Sequence, residues 1–407
     1  MRRSSVPVPD GTLRIALYSH DALGLGHMRR NLMLAEALLA TRSCSVLVIT
    51  GAREIAALPL PQGVDCLALP GLGKALDGAY HPRSLGVPLE DLIRLRADTI
   101  FAAIKSFGPD VLITDKKPLG VQRELEPAVN WLSVQGGTRL VLGLRDVLDA
   151  PEAVEREWRE ENSETAVREH YDSVWVYGDP HVYDPVAEYG FSPAIAAKVR
   201  YTGYLDARAA PSRIITAASP LEDLELPEGR LALCVVGGGE DGYHVADAFS
   251  RADLPPGVNG VILTGPFMPA EQSDTLRRRA VGRNLRVLRF VEDAGPLLDA
   301  AERVVAMGGY NTVCELLSRS KRALIVPRVD PRREQLIRAE RMRDLGLLDM
   351  LHPDELGPGA LADWLAGDEA PPARALDRID LGGLRRVSGL LSEVVADERS
   401  LRLARGA

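Results

Sequence analysis

Residues 303–341 read RVVAMGGYNTVCELLSRSKRALIVPRVDPRREQLIRAER. A short apolar strand, Val304–Ala306, runs into Gly308-Gly309, and a helical pattern opens near Tyr310 with Glu315 in its second turn. A second strand, Ala323–Val326, ends at Pro327, and a charged loop brings Glu334 and Gln335 to the start of a further helix. Strand, glycine turn and helix N-terminus together make an anion seat, because free backbone N–H groups and the positive end of the helix dipole aim at one spot. A carboxylate one turn further in suits the paired hydroxyls of a ribose. The pattern is nucleotide-shaped, and it lies late in the chain, where a dinucleotide-binding dehydrogenase would not place it.

Working outward, apolar runs alternate with helical patterns. Strands are expected at Ile15–Ser19, Ser45–Ile49, Val64–Leu69, Val111–Thr114, Leu140–Leu144, Ser173–Tyr177 and Val199–Thr202, with helices near Met28–Ala40, Leu89–Phe107, Glu152–His170 and Pro185–Tyr189. The rhythm breaks over 205–230, rich in Pro, Ala and charge. It restarts with strands at Leu231–Val236, Gly260–Leu263, Val287–Phe290, Val304–Ala306 and Ala323–Val326, and with helices at Tyr243–Arg251, Glu271–Val281, Gly295–Ala301, Asn311–Ser318 and Gln335–Leu345. Continuous apolar strands indicate parallel sheets covered on both faces. The α/β pattern predicts two doubly wound, Rossmann-like domains facing a cleft, over 1–208 and 209–383. A final amphipathic helix over 384–407 carries a stripe of Leu384, Val387, Leu390, Leu391, Val394 and Val395. Ligands in such folds bind beyond the carboxyl ends of the strands.

Composition removes several classes. A net charge of −8 over 407 residues opposes a broad nucleic-acid surface, and only six of the 49 basic residues are Lys. No apolar run is long enough for a membrane span, and the arginine-bearing N-terminus lacks the apolar core of a signal peptide. A cytoplasmic location is expected, with peripheral contact at the inner membrane face left open. Cys44, Cys66, Cys234 and Cys314 have no metal-binding or redox spacing and read as small buried hydrophobes. There is no D-x-D and no metal-spaced cluster, so no metal and no cofactor is expected. His81, His170, His181, His244 and His352 read as structural or solvated.

After the first strand, Gly24 and Gly26 permit a tight turn, and His27 starts the helix, with His20 in the same loop. The third glycine of a dinucleotide fingerprint is missing, and the second strand ends in Thr50-Gly51 where a ribose-binding acid belongs. Two readings of His27 stand: a base that takes a proton from a hydroxyl nucleophile, or a helix cap. Asp115, with Lys116 and Lys117 beside it, follows its strand directly and either orients His27, binds a substrate hydroxyl, or caps a loop. Arg145 and Asp146 occupy the same kind of edge. Gly237-Gly238-Gly239 lets the backbone approach a phosphate or sugar, or simply makes a tight turn. The glycine-rich segment 70–88 is an acceptor lid, a membrane-touching patch or a surface loop.

Together these positions resemble the GT-B glycosyltransferases of family 28, the MurG-like transferases, most strongly over 285–345 and clearly over 14–40. The family's base-holding segment resembles Phe290-Val291-Glu292-Asp293, and its Ser-Gly-x-x-Thr-x-x-Glu turn resembles Gly308-Gly309-Tyr310-Asn311-Thr312-Val313-Cys314-Glu315. The resemblance implies that Glu315 binds the ribose hydroxyls, and that Asn311 and Thr312 belong to the donor site. Its paired glutamines fall on Glu334 and Gln335, so the first departs from the pattern. Its Gly-Gly-His loop resembles Leu25-Gly26-His27, which implies a base or acceptor-side role for His27. The expected activity is metal-independent, inverting transfer of a hexosyl group. The donor is a nucleotide sugar, UDP-linked, and the acceptor a hydroxyl on a small molecule, glycan or lipid. The alternatives are a nucleotide-sugar 2-epimerase or hydrolase on the same fold, and a non-catalytic nucleotide-sugar sensor.

Overall fold

The computed structural model describes residues 12–21, 26–74, 79–209, 224–291, 293–368 and 374–405. The first half forms one parallel sheet. In chain order its strands are β1 (Leu13–Ser19), β2 (Cys44–Thr50), β3 (Val64–Ala68), then, after a small hairpin β4–β5 (Leu72–Lys74 and Tyr80–Pro82), β6 (Val111–Asp115), β7 (Arg139–Arg145), β8 (Ser173–Tyr177) and β9 (Val199–Tyr201). The spatial order is β3-β2-β1-β6-β7-β8-β9. The second sheet is built from β10 (Arg230–Val235), β11 (Val258–Leu263), β12 (Leu285–Leu288), β13 (Arg303–Ala306), β14 (Arg322–Ile325) and β15 (Asp349–Met350), ordered β12-β11-β10-β13-β14-β15. All twelve expected strands form. Strand order reverses between β1 and β6 in one sheet and between β10 and β13 in the other. Such switch points open the crevice where ligands bind.

The central strands are apolar because helices cover both faces: Ile15, Leu17, Val111 and Ile113 are buried in the first sheet, and Leu233, Cys234, Val304 and Val305 in the second. One charged group is also buried there. Arg96 forks onto Glu124 at 2.5 and 2.7 Å while the Tyr18 hydroxyl donates to the same carboxylate at 2.5 Å, so the charge is paired and its oxygens are occupied.

Three expectations need correction. The single helix over 152–170 is two, Pro151–Glu160 and Ser163–His170, because Asn162 takes the left-handed conformation (φ 53°) that a short polar side chain tolerates. The segment 70–88 contains the β4–β5 hairpin, whose residues 75–78 lie outside the described ones. Helices Glu126–Gln135 and Pro358–Ala366 were not foreseen; each carries only a few buried apolar residues, too weak a stripe to read. The stretch 210–223, which covers most of the expected linker, lies outside the described residues.

The chain then crosses back. Tyr204 N–H donates to Asp380 O at 2.8 Å and Gly383 N–H to Tyr204 O at 3.0 Å, tying the last element to the end of the first domain. The final helix, Gly383–Arg405, packs on helix Gly26–Leu39 with Leu384, Val387, Leu390, Leu391 and Val394 buried. Among the described residues no helix is long and apolar enough to cross a membrane.

Candidate active site between the two domains

The loop after β1 and the carboxyl end of β6 meet at the first switch point. Helix Gly26–Leu39 begins there, so His27 and Arg30, one turn apart, share a face. His27 Nδ1 lies 3.0 Å from Asp115 Oδ2, and Arg30 Nη2 binds the same oxygen. Asp115 is fully buried. Burial alone would raise its carboxyl, but Arg30 and His27 outweigh it and hold the group well below the usual carboxylate range. His27 Nδ1 also lies 2.9 Å from Arg30 Nη2; in the tautomer whose Nδ1–H donates to the ionised Asp115, the Nε2 lone pair is free. His27 keeps a 16% exposed side chain, so that nitrogen has access to the cleft. His20 stacks near it, with ring centroids 5.2 Å apart; burial first, and then His27, push the His20 imidazole well below its ordinary value. His20 is therefore neutral, and its Nδ1 has no partner in the structure. Gly24 lies outside the described residues; Gly26 is exposed at the helix start.

Two supports escaped the sequence reading. Asp21 accepts from Ser19 Oγ and Thr50 Oγ1 at 2.5 Å each and from Met28 N at 3.1 Å, pinning the turn to β1, β2 and the helix. Its distance from Met28 in sequence exceeds any capping pattern. Arg30 was legible in principle from its three-residue spacing to His27.

Across the cleft, β13 feeds the Gly308-Gly309 turn and helix Tyr310–Ser318. No side chain caps that helix and no acid sits in its first turn, so its N-terminal field is unopposed. A Cβ at Gly308 would stand 3.0 Å from the Gln335 carbonyl oxygen, so any larger residue would push helix Glu334–Asp344 back by a few tenths of an ångström. The turn after β10 is equally tight: Gly239 has φ +93°, and a Cβ there would come 2.1 Å from Thr264 O. Gly237 is left-handed as well, and Gly238 sits half-buried between them. Glu315 lies one turn into its helix, 3.9 Å from Arg319. Gln335 accepts from Arg328 N at 3.1 Å, which turns its amide NH₂ outward as a donor. Glu334 is buried and bound by Arg328, which also takes Asp241 at 2.9 Å. Phe290 is 42% exposed with Arg29 of the first domain 5.9 Å over its ring, and Val291 packs at the edge of the core. Thr312 stands half-buried in the first helical turn.

The two halves touch here. Asn311 Nδ2 donates to Gly26 O at 3.0 Å, joining the uncapped helix end to the turn that carries His27. The Tyr310 ring lies 5.6 Å from the Arg30 guanidinium of one domain and 5.7 Å from Arg338 of the other. Asp146 is not an acceptor-side group. It is fully buried and receives Arg338 through Nη2 at 2.6 Å and Nε at 2.8 Å, with the Tyr204 hydroxyl at 3.2 Å. Arg338 Nη1 continues to Gly308 O at 2.9 Å. The carboxylate at the end of β7 therefore latches the first domain onto the donor-side glycine turn. Arg145, its neighbour, has a buried Nε with no partner. Among the described residues no group of three His, Cys, Asp or Glu side chains is placed to hold a metal ion.

No family model matches the chain. Two proteins named "uncharacterized glycosyltransferase" are similar to it. That of Methanosarcina acetivorans is 27% identical over 31% of this chain and 30% of its own length, and that of Methanosarcina mazei 24% over 72% and 74%. The UDP-N-acetylglucosamine–N-acetylmuramyl-(pentapeptide) pyrophosphoryl-undecaprenol N-acetylglucosamine transferase of Rhodopseudomonas palustris is 29% identical over 46% of this chain and 54% of its own. The match thus spans from under a third to about three quarters of those relatives. Among solved structures, MurG of Acinetobacter baumannii superposes with a TM-score of 0.56 at 13% identity, covering 94% of this chain and 99% of that one. The fold is GT-B. A UDP-glucose: anthocyanidin 3-O-glucosyltransferase in complex with UDP shares it, with a TM-score of 0.61 at 14% identity over 96% and 100% of the two chains. The GT-B protein described here thus resembles the Rhodopseudomonas transferase in sequence over 46% of its length and MurG in architecture over 94%.

Proposed function

We propose that the protein is an inverting glycosyltransferase that moves a hexosyl group from a UDP-linked sugar to a hydroxyl acceptor. One observation carries this reading: the Asn311–Gly26 hydrogen bond sets the uncapped donor-side helix end against the turn bearing the His27–Asp115 dyad. A base and an anion seat then face one another across a single cleft. The UDP diphosphate takes the amides at Gly308-Gly309 and the Gly237–Gly239 loop, with the ribose on Glu315, the base beside Phe290 and Val291, and the sugar against Gln335. The acceptor hydroxyl gives its proton to His27 Nε2 as its oxygen bonds to the anomeric carbon. The bond from that carbon to the diphosphate oxygen breaks, and its electron pair leaves with UDP. Asp115 holds the imidazole in place and stabilises the proton it gains, and Arg30 fixes the Asp115 carboxylate. Helix dipoles and backbone amides meet the leaving charge, so EDTA-treated protein is expected to keep most of its rate.

The test has two arms. UDP at a hundred times its dissociation constant should stabilise the protein by about 2.7 kcal/mol. Nucleotide release from UDP-sugars should be slow alone and rise when acceptor hydroxyls are supplied. Rapid release from donor alone would favour the hydrolase or 2-epimerase reading, and the absence of any UDP-dependent stabilisation would remove the donor site.

A further inference from the structure

We propose that Lys116 and Arg145 form an anion subsite for the acceptor, so that the molecule glycosylated carries a phosphate or carboxylate close to its reacting hydroxyl. The inference rests on the transferase reading only for the word acceptor; the anion subsite itself stands on the geometry.

Lys116 directly follows β6, which borders the first switch point, and Arg145 ends β7, the next strand. Asp115 pairs in register with Gly143, and Lys116 N–H donates to Gly143 O at 2.8 Å, which fixes Lys116 beside the last residues of β7. Lys116 holds the left-handed conformation (φ +69°) immediately after the carboxylate that orients His27. An anion held by this pair would therefore present a neighbouring hydroxyl to the base.

The neighbouring cations are matched. Arg30 takes Asp115, and Arg338 takes Asp146. Lys117 takes both Glu157, at 2.9 Å, and Glu161. Arg332 shares Glu157 at 3.3 Å and Asp149 at 3.7 Å, and Arg328 takes Glu334 and Asp241. Glu157 is thus already engaged, and Glu334 is bound through one oxygen by Arg328. Among the described residues the side chains of Lys116 and Arg145 have no hydrogen-bond or ion-pair partner. Burial pulls the Arg145 guanidinium down to about 10, and burial with Arg332, Arg145 and Lys117 nearby pulls the Lys116 ammonium down to about 7, against Glu157. Glu334 acts on Arg145 and Glu157 on Lys116, yet neither cation is bonded to its carboxylate, and the buried Arg145 Nε is left without a partner; a ligand anion would supply the missing bonds.

The donor diphosphate has other seats, on the glycine turns of the second domain, whereas both cations belong to the first. Lys116 adds a signature. An anion beside it raises its pKa, so binding near neutral pH takes up a proton.

The experiment uses the full chain saturated with UDP, titrated with inorganic phosphate by calorimetry in two buffers of different ionisation heat. The wild type should bind phosphate with proton uptake. Lys116→Met and Arg145→Met should each weaken phosphate by about tenfold to a hundredfold, the worth of one charge-assisted bond. Both should leave UDP affinity unchanged, because both residues belong to the first sheet and not to the glycine turns of the second. In Lys116→Met the proton uptake should vanish. The proposal is overturned if the UDP-loaded wild type binds no phosphate, if phosphate and UDP compete, or if either variant loses UDP affinity by a similar factor. Absence of UDP binding in the wild type would instead sink the donor reading while leaving phosphate binding to be read on its own.

Discussion

The two cleft-facing turns are built from one unit and put to opposite uses. Each follows a central strand at a switch point, passes through glycine and opens a helix. The turn after β1 is furnished with side chains: His20, His27, Arg30 and Asp115 lie within contact of one another, and Asp21 occupies the helix start. The turn after β13 is bare. Its helix has no capping side chain and no acid in its first turn, and its closest packing partner is the backbone of Gln335. Filling a helix N-terminus with a carboxylate uses up its field; leaving it empty keeps the field for a ligand. The proposed mechanism accordingly gives proton chemistry to the first turn and charge stabilisation to the second.

The largest expected effect tests that division. His27→Ala should lower turnover by about 10²–10⁴-fold, the usual worth of general acid–base catalysis, with UDP affinity near wild type. A loss confined to UDP binding would place His27 on the donor side and dissolve the contrast. The next effect concerns the latch between the turns. Arg338→Ala strands Asp146 as an unmatched buried charge, so unfolding stability should drop by about 3–5 kcal/mol. Solution scattering should also show a more open molecule, since Arg338 binds Asp146 of one domain and Gly308 of the other. Unchanged stability and unchanged dimensions would mean that the domains are held by other contacts.

The sequence made the frame legible because continuous apolar strands and glycine turns are local signals. Val304–Ala306 into Gly308-Gly309 announces its own geometry, and so does Val111–Thr114 into Asp115. The side-chain network is not local. Asp146 and Arg338 are 192 positions apart, and nothing near either predicts that they meet in a buried pair. Asp146 therefore reads as a free edge carboxylate until the domains are brought together. Asp21 was hidden for a related reason: it secures the helix from seven residues upstream, across the turn rather than within a capping box. Helix breaks carried by one residue, as at Asn162, are equally invisible in a pattern that remains apolar on one face through the break.

The smallest expected effect lies on the bare turn. Glu315 is set one helical turn beyond Gly309, with its side chain 25% exposed and Arg319 only 3.9 Å away. A carboxylate there has two assignments, an intrahelical partner for Arg319 or an acceptor for two ribose hydroxyls. The first is a long contact, and the buried Arg319 already takes Asp299 at 3.0 Å. The second is worth about 1.5–3 kcal/mol, the range for hydrogen bonds to a charged group. Glu315→Ala should therefore cost UDP binding far more than it costs folding. Glu315→Gln keeps the side chain's length and one acceptor oxygen, and should recover part of the lost affinity. Comparing uridine with the free base uracil isolates the ribose, and the variant's deficit should appear for UDP and uridine but not for uracil. If Glu315→Ala binds UDP as wild type does and merely melts slightly lower, Glu315 serves Arg319. The second turn would then be a bare anion seat without a ribose clamp, and its contrast with the first turn would be sharper still.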